Sequence, residues 1–515
     1  MMDFGSRADY WAAMMPAVVL ALSAVVVLMI EAFARPGAET AEGAEPGGRA
    51  SVAFLVTMYA MATALVASVS LGDATGPPDA LIALDGFRGV AELVLLGAGL
   101  LVVALSRDYA ARTGMRGGEF HALLLLALTG MLVVAAARDL ILLFVGIELM
   151  SISVYVLAGY ARRNPRSSEA SVKYFIMGAF ASAFLLYGIA LLYGATGTTR
   201  LSEAALAISS GAAAGDLLLA GGVGMLLIGL GFKVAAVPFH MWTPDAYEGA
   251  PFPVTAFMAT GVKAAAFVAV LRIFTVDLAG AHAQWAGAVW WLAALTMIVP
   301  NLVALQQQDL KRMLAYSSVA HAGYLLVGVA AMSDAGRSGA LFYLGAYAVT
   351  TAAALALVSH LAAGRGGRSL RDFRGLGWEK PWLSAALVVL LLSLAGFPPT
   401  AGFVGKLFLL RAGLAAGEFG LAVILVLSSL VSYYYYLRVV WKMYFEESPE
   451  GASGSAPALR GAGGFRWIVV GCALAVLAAG LFPGRLIEGV EAATARAPVA
   501  ADGPEVAGVE VGEAP

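Results

Sequence analysis

The chain has 515 residues, of which 60% are hydrophobic and 13% are charged, with a mean hydropathy of +0.83. Soluble proteins contain about 25% charged residues, so this composition excludes a soluble globular protein and indicates one that crosses a membrane many times. The net charge of -2 argues against a nucleic-acid partner. The single cysteine, Cys472, excludes an internal disulfide and an iron–sulfur cluster held by this chain.

Apolar runs long enough to cross a bilayer, about 20 residues each, recur along the whole chain. They predict an all-α polytopic membrane protein with about 14 spans, which we number in chain order. Their approximate limits are 11–34, 51–72, 86–106, 119–136, 139–159, 170–194, 217–238, 253–276, 286–305, 314–332, 339–362, 383–411, 418–445 and 466–484.

Basic residues follow the odd-numbered spans, whereas the loops after even-numbered spans contain few of them. Because cytoplasmic loops carry an excess of lysine and arginine, the odd loops are predicted to be cytoplasmic and both termini to face outward. The loop after span 7 departs from this trend, since it contains Asp245 and Glu248 and no basic residue. The basic residues of the odd loops are Arg35, Arg49, Arg107, Arg112, Arg116, Arg162, Arg163, Arg166, Lys311, Arg312, Arg365, Arg368, Arg371, Arg374 and Lys380.

Prolines interrupt two of the spans. In GFKVAAVPFH, Pro238 has no N–H to donate to the carbonyl of Val234, and in SLAGFPPTAGF two prolines remove the donors for Leu394 and Ala395. Freed carbonyls at membrane depth are tolerated only against protein or water. Paired broken helices are typical of inverted-repeat transporters and their ion sites, so we align spans 4–8 with spans 9–13.

Four charged residues lie inside apolar spans: Glu148 in span 5, Lys233 in span 7, Lys263 in span 8 and Lys406 in span 12. Each costs about 2.5–3.5 kcal/mol at the centre of a membrane helix, so such residues usually mark a path for ions or protons. A buried lysine can exchange its proton near neutral pH, and a nearby carboxylate favours its charged form. Structural ion pairs, or lysines that extend to the interface, are the alternative explanation.

Three further residues are candidates for the same path. Lys173 lies in span 6 close to a basic loop, where a lysine can also extend to the membrane surface. His240 follows the first break and could relay protons at its mouth, and His321, in SSVAHAGYLL, could line a hydrated path. No cluster of histidine, cysteine and carboxylate residues has metal-ligand spacing. The glycines of GGVGMLLIGLGF lie inside a span and indicate close helix packing rather than a nucleotide site.

Three strings of sequence resemble the antiporter-like subunits of respiratory complex I, and the resemblance extends from about residue 90 to residue 445. They are GFKVAAVPFHMWTPDAYEGAPFPVTAF, QQQDLKRMLAYSSVAHAGYLL and SLAGFPPTAGFVGKLFLLRAG. Within that family, three features resemble subunit N of the proton-pumping NADH:quinone oxidoreductase. They are SVKYFIMGAFASAFLLYGIALLYGATG in span 6, SSLVSYYYYLRVVWKMYF in span 13, and Lys406, where the related M subunit has glutamate.

The resemblance implies a fourteen-helix fold with two inverted five-helix repeats, each containing a broken helix. Glu148 and Lys233 would form the pair of the first half-channel, Lys263 the central relay, and Lys406 the lysine on the exit side. The expected organisation is spans 1–3 in 1–117, the first repeat in 118–276, the second in 286–445, a loop and the last span in 446–484, and a disordered tail in 485–515.

The function implied by the resemblance is proton translocation in a bacterial cell membrane as part of an oxidoreductase. The chain would bind no cofactor, while NADH, FMN, iron–sulfur clusters and quinone would lie on partner subunits. Its partners would be lipid and other membrane subunits, including a long lateral helix. Two alternatives stay open. One is the D-type subunit of a multisubunit Na⁺/H⁺ antiporter, which shares these strings. The other is a membrane scaffold that conducts no protons, in which the buried charges would be fully paired and dry.

Overall fold

The computed structural model describes residues 7–33, 48–72, 74–77, 79–113, 115, 117–211, 217–448 and 462–495. Within these ranges the chain is almost entirely helical, and the only β-type pairing consists of three isolated bridges. Two of the basic residues used to predict orientation, Arg35 and Arg116, lie outside the described residues, as does 496–515 of the predicted tail.

The first twelve α-helices extend from residue 7 to residue 272. They are α1 (Arg7–Ala13), α2 (Met15–Ala32), α3 (Gly48–Ser70), α4 (Gly86–Thr113), α5 (Gly118–Ala136), α6 (Leu140–Ala158), α7 (Pro165–Thr196), α8 (Leu201–Ser209), α9 (Leu217–Val234), α10 (Trp242–Gly249), α11 (Phe252–Phe257) and α12 (Lys263–Arg272). A π-helical segment, Met258–Val262, joins α11 to α12, and a second one, Ile273–Asp277, continues α12.

The remaining helices complete the bundle. They are α13 (His282–Ala304), α14 (Leu310–Ala330), α15 (Asp334–Ala363), α16 (Leu376–Glu379), α17 (Pro381–Ala395), α18 (Ala401–Ala415), α19 (Phe419–Phe445), α20 (Ala462–Leu481) and α21 (Gly484–Thr494).

The predicted all-α polytopic fold is confirmed. Thirteen helical segments of the described chain are long and apolar enough to cross a membrane. The remaining predicted span is the second interrupted one, and its two halves, α17 and α18, have 15 residues each. That the two groups of five spans are inverted repeats stays a prediction.

Both predicted interruptions are present. The first separates α9 from α10, where Ala235 has a φ of 62°, in the left-handed region that residues with a side chain rarely adopt. The second separates α17 from α18, and α18 restarts at Thr400, whose hydroxyl accepts a hydrogen bond from Phe403 N. The first interruption therefore follows a helix of 18 residues, whereas the second divides its span into two helices of 15 residues each.

Two spans lie at the centre of the bundle. The most apolar stretch of Phe252–Asp277 is buried along its whole length, and Leu310–Ala330 is nearly so, whereas only a minority of the residues in the outer helices α2 and α20 are buried. Glycine allows the close approach of α14 to α13, since a Cβ on Gly323 would lie 2.7 Å from Met297 N. The central position of these two spans places Lys263 and His321 away from lipid.

The predicted disorder from residue 485 is wrong for the part of the tail that the structure describes. Gly484–Thr494 forms α21, which packs against α4 so closely that a Cβ on Gly86 would lie 2.3 Å from the carbonyl oxygen of Ala493. The alanines that suggested a disordered composition are also strong helix formers, and Val490 packs against the apolar core. Composition alone therefore concealed a packed helix.

Candidate functional site

The first part of the site lies between α6, α7 and α9. Glu148, Ser151 and Tyr155 lie on one face of α6, because their spacing of three and four residues repeats about once per helical turn. The ammonium group of Lys233, which is 2% exposed, donates to Ser151 Oγ at 2.8 Å and to the Tyr155 hydroxyl at 3.2 Å. Glu148 accepts a hydrogen bond from Ser182 Oγ at 2.5 Å. Among the described contacts, no direct ion pair joins Glu148 to Lys233.

Protein groups fill the first break next to Lys233. The indole N–H of Trp242 donates to the carbonyl of Phe232 at 3.0 Å, and its ring stacks on Tyr174 with centroids 4.3 Å apart. The backbone N–H of Val237 donates to Thr296 Oγ1 of α13 at 2.8 Å. The first broken helix is thus fixed in part by a side chain from the second predicted repeat.

The second part of the site is Lys263, at the junction of the π-helical segment and α12. A π-helical turn inside an α-helix frequently marks a functional position. The Lys263 ammonium donates to Ser318 Oγ of α14 at 2.5 Å and also to the Ser318 carbonyl. The Tyr347 hydroxyl donates to the same Oγ at 2.8 Å. Lys263 is 2% exposed, and its described partners are neutral oxygens rather than carboxylates.

His321 lies beside this lysine with both ring nitrogens engaged. Its Nδ1 is 2.5 Å from the Tyr343 hydroxyl and its Nε2 is 3.2 Å from the Tyr436 hydroxyl. Tyr436 also hydrogen-bonds Ser317. Because each of these hydroxyls can both donate and accept, the ring can change tautomer without losing its partners.

One face of α14 connects the second and third parts of the site. Ser318, His321 and Tyr324 are spaced three residues apart and therefore lie along the same side of the helix. Ser318 binds Lys263, while the ring of Tyr324 lies 4.5 Å from the ammonium of Lys406. His321 stands between the two lysine contacts on this face.

Lys406 forms the third part of the site and binds the second break directly. Its ammonium donates to the carbonyls of Leu394 at 3.1 Å and Ala395 at 2.8 Å. These are the two carbonyls that the prolines leave without backbone donors. The side chain, 5% exposed, thus replaces missing N–H groups as well as carrying a charge.

Two predicted site residues differ from this buried row. Lys173 is 45% exposed and forms ion pairs with Glu169 at 2.7 Å and with Asp245 at 2.9 Å. His240 lies beyond the first break, partly exposed, and its Nδ1 is buried without a hydrogen-bond partner. The structure therefore places Lys173 in a surface network and leaves His240 at the mouth of the break.

Ion pairs explain the acidic loop after span 7. Asp245 pairs with Lys173 and also with Arg312 at 3.0 Å, and Glu248 pairs with Arg312 at 2.7 Å. Arg368 lies 3.6 Å from Glu248 and 3.0 Å from Asp309. The acids of this loop therefore neutralise basic groups of the neighbouring odd loops.

A second ionic cluster lies at the opposite end of span 8. Asp85 accepts from Arg272 at 2.8 Å and 3.0 Å and from Arg138 at 3.2 Å. Burial raises the pKa of the Asp85 carboxyl, but the adjacent Arg272 guanidinium outweighs that effect and holds the pKa well below its usual range. This cluster locks the loop before α4 to the end of span 8.

Several residues of the site escaped sequence reasoning. Ser151 and Tyr155 could have been found from their helical spacing to Glu148, whereas no local signal pairs Ser318 with Lys263. Lys311 was assigned to a basic loop, yet it is 1% exposed and lies in the first turn of α14. In the part of the chain that the structure describes, no three histidine, cysteine or carboxylate residues come together as metal ligands.

Comparisons with known proteins identify the family of this chain. Residues 137–432 match the family described as NADH:quinone oxidoreductase/Mrp antiporter, TM. NADH-quinone oxidoreductase subunit N of Gemmatimonas aurantiaca is 44% identical over 496 residues, which cover 94% of this chain and 93% of that relative.

Solved structures contain chains of the same fold. A chain of respiratory complex I from Thermus thermophilus with bound aureothin has a TM-score of 0.74 and 35% identity, covering 92% of this chain and 98% of that one. A chain of the Mrp complex from Dietzia sp. DQ12-45-1b has a TM-score of 0.78 at 24% identity, covering 94% and 97%, which establishes the shared fold alone. By its family match and its long alignment with curated relatives, the chain belongs to the NADH-quinone oxidoreductase subunit N family.

Proposed function

We propose that this chain is a proton-translocating membrane subunit of an NADH:quinone oxidoreductase, and that Glu148, Lys233, Lys263 and Lys406 carry the protons. The observation that carries the proposal is that three buried lysines hydrogen-bond to neutral oxygens instead of carboxylates. A lysine whose hydrogen bonds go to neutral groups can lose its proton without breaking a direct ion pair. Such a group suits reversible proton transfer better than a closed ion pair does.

Electrostatic repulsion supplies a way for one lysine to influence the next. The α14 contacts of Lys263 and Lys406, Ser318 and Tyr324, are separated by about 9 Å along a helix that rises 1.5 Å per residue. Two unit charges on the order of 10 Å apart at an effective dielectric constant of about 20 repel by about 1.7 kcal/mol. That repulsion corresponds to roughly a tenfold change in proton affinity. A proton arriving at Lys263 would therefore favour release from Lys406.

His321 would connect these two lysines. Its imidazole lies between their contacts and is hydrogen-bonded to tyrosine hydroxyls on both sides. A neutral ring that accepts a proton on one nitrogen and releases one from the other moves charge without moving the helix. His240 and Lys173 are weaker members of the path, since neither contacts the buried row in the described residues.

The oxidoreductase chemistry itself belongs to partner subunits. NADH, FMN, iron–sulfur clusters and quinone would be held there, and this chain would contact other membrane subunits and lipid. The location would be the bacterial inner membrane. We infer from the basic odd loops that those loops are cytoplasmic and that both termini face outward.

The two alternatives are less well supported. A Na⁺/H⁺ antiporter subunit has in its favour the Mrp chain of the same fold, but that chain shares 24% identity, against 44% for the subunit N relative. A non-conducting scaffold requires fully paired buried charges, whereas the described partners of Lys233, Lys263 and Lys406 are uncharged.

Alanine variants of the first pair test the proposal. In membrane vesicles that contain the assembled complex, Lys233→Ala and Glu148→Ala should each impair proton translocation coupled to quinone reduction, by about tenfold or more. Lys442→Ala is the matched control, because Lys442 pairs with Glu446 at the end of α19, outside the buried row. Unchanged proton translocation in both variants would overturn the assignment.

A further inference from the structure

Lys311 is a buried lysine in an unfavourable position on its own helix. It lies in the first turn of α14, where the helix dipole disfavours a cation. The side chain is nevertheless 1% exposed. Its ammonium donates to the carbonyl of Ala250 and, at 3.3 Å, to that of Glu248, at the C-terminal end of α10. The carbonyl end of one helix thus compensates for the N-terminal end of another.

A cavity of about 620 Å³ lies beside Lys311 and opens at the protein surface. A water molecule in the liquid occupies about 30 Å³, so the cavity has room for on the order of 20 water molecules. Its walls come mainly from the loops after spans 5, 7, 9 and 11, which are on one side of the bundle. The lining includes Tyr109, Asn164, Arg166, Asp309, Gly366 and Arg368.

Most charged groups around the cavity have described partners of their own. Arg368 pairs with Asp309 and Glu248, and Glu248 also pairs with Arg312. Asp372 accepts a hydrogen bond from Ser369 N at 2.8 Å in a helix cap. On the α11 side, Lys311 lies 4.4 Å from the ring of Phe252, and on the α4 side the nearest titratable group of the wall is Tyr109.

The remaining charged group of the wall is Arg166, at the exposed start of α7. Lys311 itself has no carboxylate among its described contacts. It is therefore a buried titratable group next to the cavity whose direct described contacts are carbonyls and an aromatic ring, while the carboxylates of Asp309 and Glu248 act on it from a longer distance.

A row of polar groups leads inward from this point. Lys311 and Ser318 are seven residues apart on α14, which places them on the same side, about two turns or 10 Å along the axis. The buried Tyr247 of α10 reaches Ser318 with its hydroxyl, and Ser318 binds Lys263. The same helix face therefore runs from the cavity to the central lysine.

We propose that this cavity is an entry site for protons on the side of the basic loops, and that Lys311 is the first buried residue to carry them toward Lys263. The proposal rests on the proposed function. A proton from water in the cavity binds the neutral amine of Lys311. The ammonium then returns it to water or hydroxyl groups leading to Ser318 and Lys263, so that only N–H and O–H bonds form and break.

Arginine substitution separates proton carrying from helix capping. Lys311→Arg keeps a cation that can donate to Ala250 and Glu248, but arginine does not release its proton near neutral pH. In vesicles with the assembled complex, this variant should translocate protons at least about fivefold more slowly and show a flattened pH dependence. Arg312→Lys is the matched control, since Arg312 pairs at the surface, and it should stay near the unsubstituted rate. An unsubstituted rate and pH dependence in Lys311→Arg would show that Lys311 only positions α10.

Blocking the cavity tests the entry site without altering Lys311. Cys472 is the single cysteine of the chain, so Cys472→Ala removes the cysteine of this chain, and the same reagent on the Cys472→Ala complex measures any effect through partner subunits. Ala161→Cys in that background places a thiol on the cavity wall, and Ser209→Cys at the end of α8 places one outside it. A bulky thiol reagent that cannot cross the membrane is applied to the side of the basic loops in one vesicle preparation and to the opposite side in another. It should slow proton translocation at least about fivefold in Ala161→Cys and leave the rate of Ser209→Cys unchanged.

The outcomes separate the two proposals. Normal pumping in Lys233→Ala and Glu148→Ala would overturn the proposed function. Impaired pumping in both, with unsubstituted rates in Lys311→Arg and in modified Ala161→Cys, would overturn the entry site alone. If Lys311→Arg fails to assemble, the thiol experiment decides: unchanged pumping after complete modification of Ala161→Cys excludes this cavity as the entry.

Discussion

The two interrupted spans hold their lysines in different ways. Lys233 precedes the first break and donates to hydroxyls of α6, the helix that also carries Glu148. Lys406 follows the second break and donates to two carbonyls of its own span. The carbonyl of Phe232, near the first break, is instead capped by the indole of Trp242.

This difference separates two roles of a buried lysine, which are to carry a charge and to donate hydrogen bonds to an interrupted backbone. At the first break the described contacts of Lys233 are side-chain hydroxyls, and the indole of Trp242 rather than the lysine binds a nearby carbonyl, so we expect Lys233 to be free to respond to the charge of Glu148. At the second break one ammonium performs both tasks, because without it two carbonyls lose their donors in a membrane interior that offers no water. We therefore expect substitutions of Lys406 to affect folding and transport together, and substitutions of Lys233 to affect mainly transport.

The largest expected contrast is between Lys406→Met and Lys233→Met. Loss of Lys406 uncaps Leu394 and Ala395, and each unsatisfied buried carbonyl costs about 1–3 kcal/mol. The amount of assembled complex in membranes, and its Tm in detergent, should fall more for Lys406→Met than for Lys233→Met. Lys406→Arg, which keeps the donors, should recover assembly. Equal assembly and equal Tm for the two methionine variants would contradict the proposed structural role of Lys406.

A smaller effect is expected from Trp242→Phe, which removes the donor at the first break. The carbonyl of Phe232 also accepts from Ala235 N at 3.1 Å, so the loss is that of one hydrogen bond, about 0.5–1.5 kcal/mol. The Tm should drop slightly while proton translocation stays within about twofold, because Lys233 keeps its contacts. Trp378→Phe, which also loses an indole hydrogen bond but at an exposed position, is the control. A loss of assembly as large as that of Lys406→Met would remove the contrast between the breaks.

The smallest effect is expected from Lys173→Met. Its ion pairs with Glu169 and Asp245 lie at an exposed position, and exposed pairs contribute little. Proton translocation should change less than about twofold, in contrast to Lys233→Met measured in the same vesicles. A loss comparable to that of Lys233→Met would place Lys173 on the path after all and weaken the distinction between buried and surface lysines.

The sequence by itself determined the features that depend on local pattern. The length of apolar runs gave the spans, and the missing N–H of proline located both breaks, because neither property needs a partner from elsewhere in the chain. The four mid-span charges stood out for the same reason, since the cost of a charge in lipid depends on its position within one helix. Even the identity of the freed carbonyls, Leu394 and Ala395, followed from backbone hydrogen bonding alone.

The tertiary structure decided which groups those charges meet. Lys233 binds Ser151 and Lys263 binds Ser318 across large separations in sequence, and such contacts exist only after the helices pack. Packing also buried Lys311, which sequence placed in a loop, and ordered α21, whose composition suggested disorder. In each case a neighbouring helix decided the outcome, because its carbonyl, hydroxyl or apolar surface compensates a charge or an apolar face that the local sequence leaves unsatisfied.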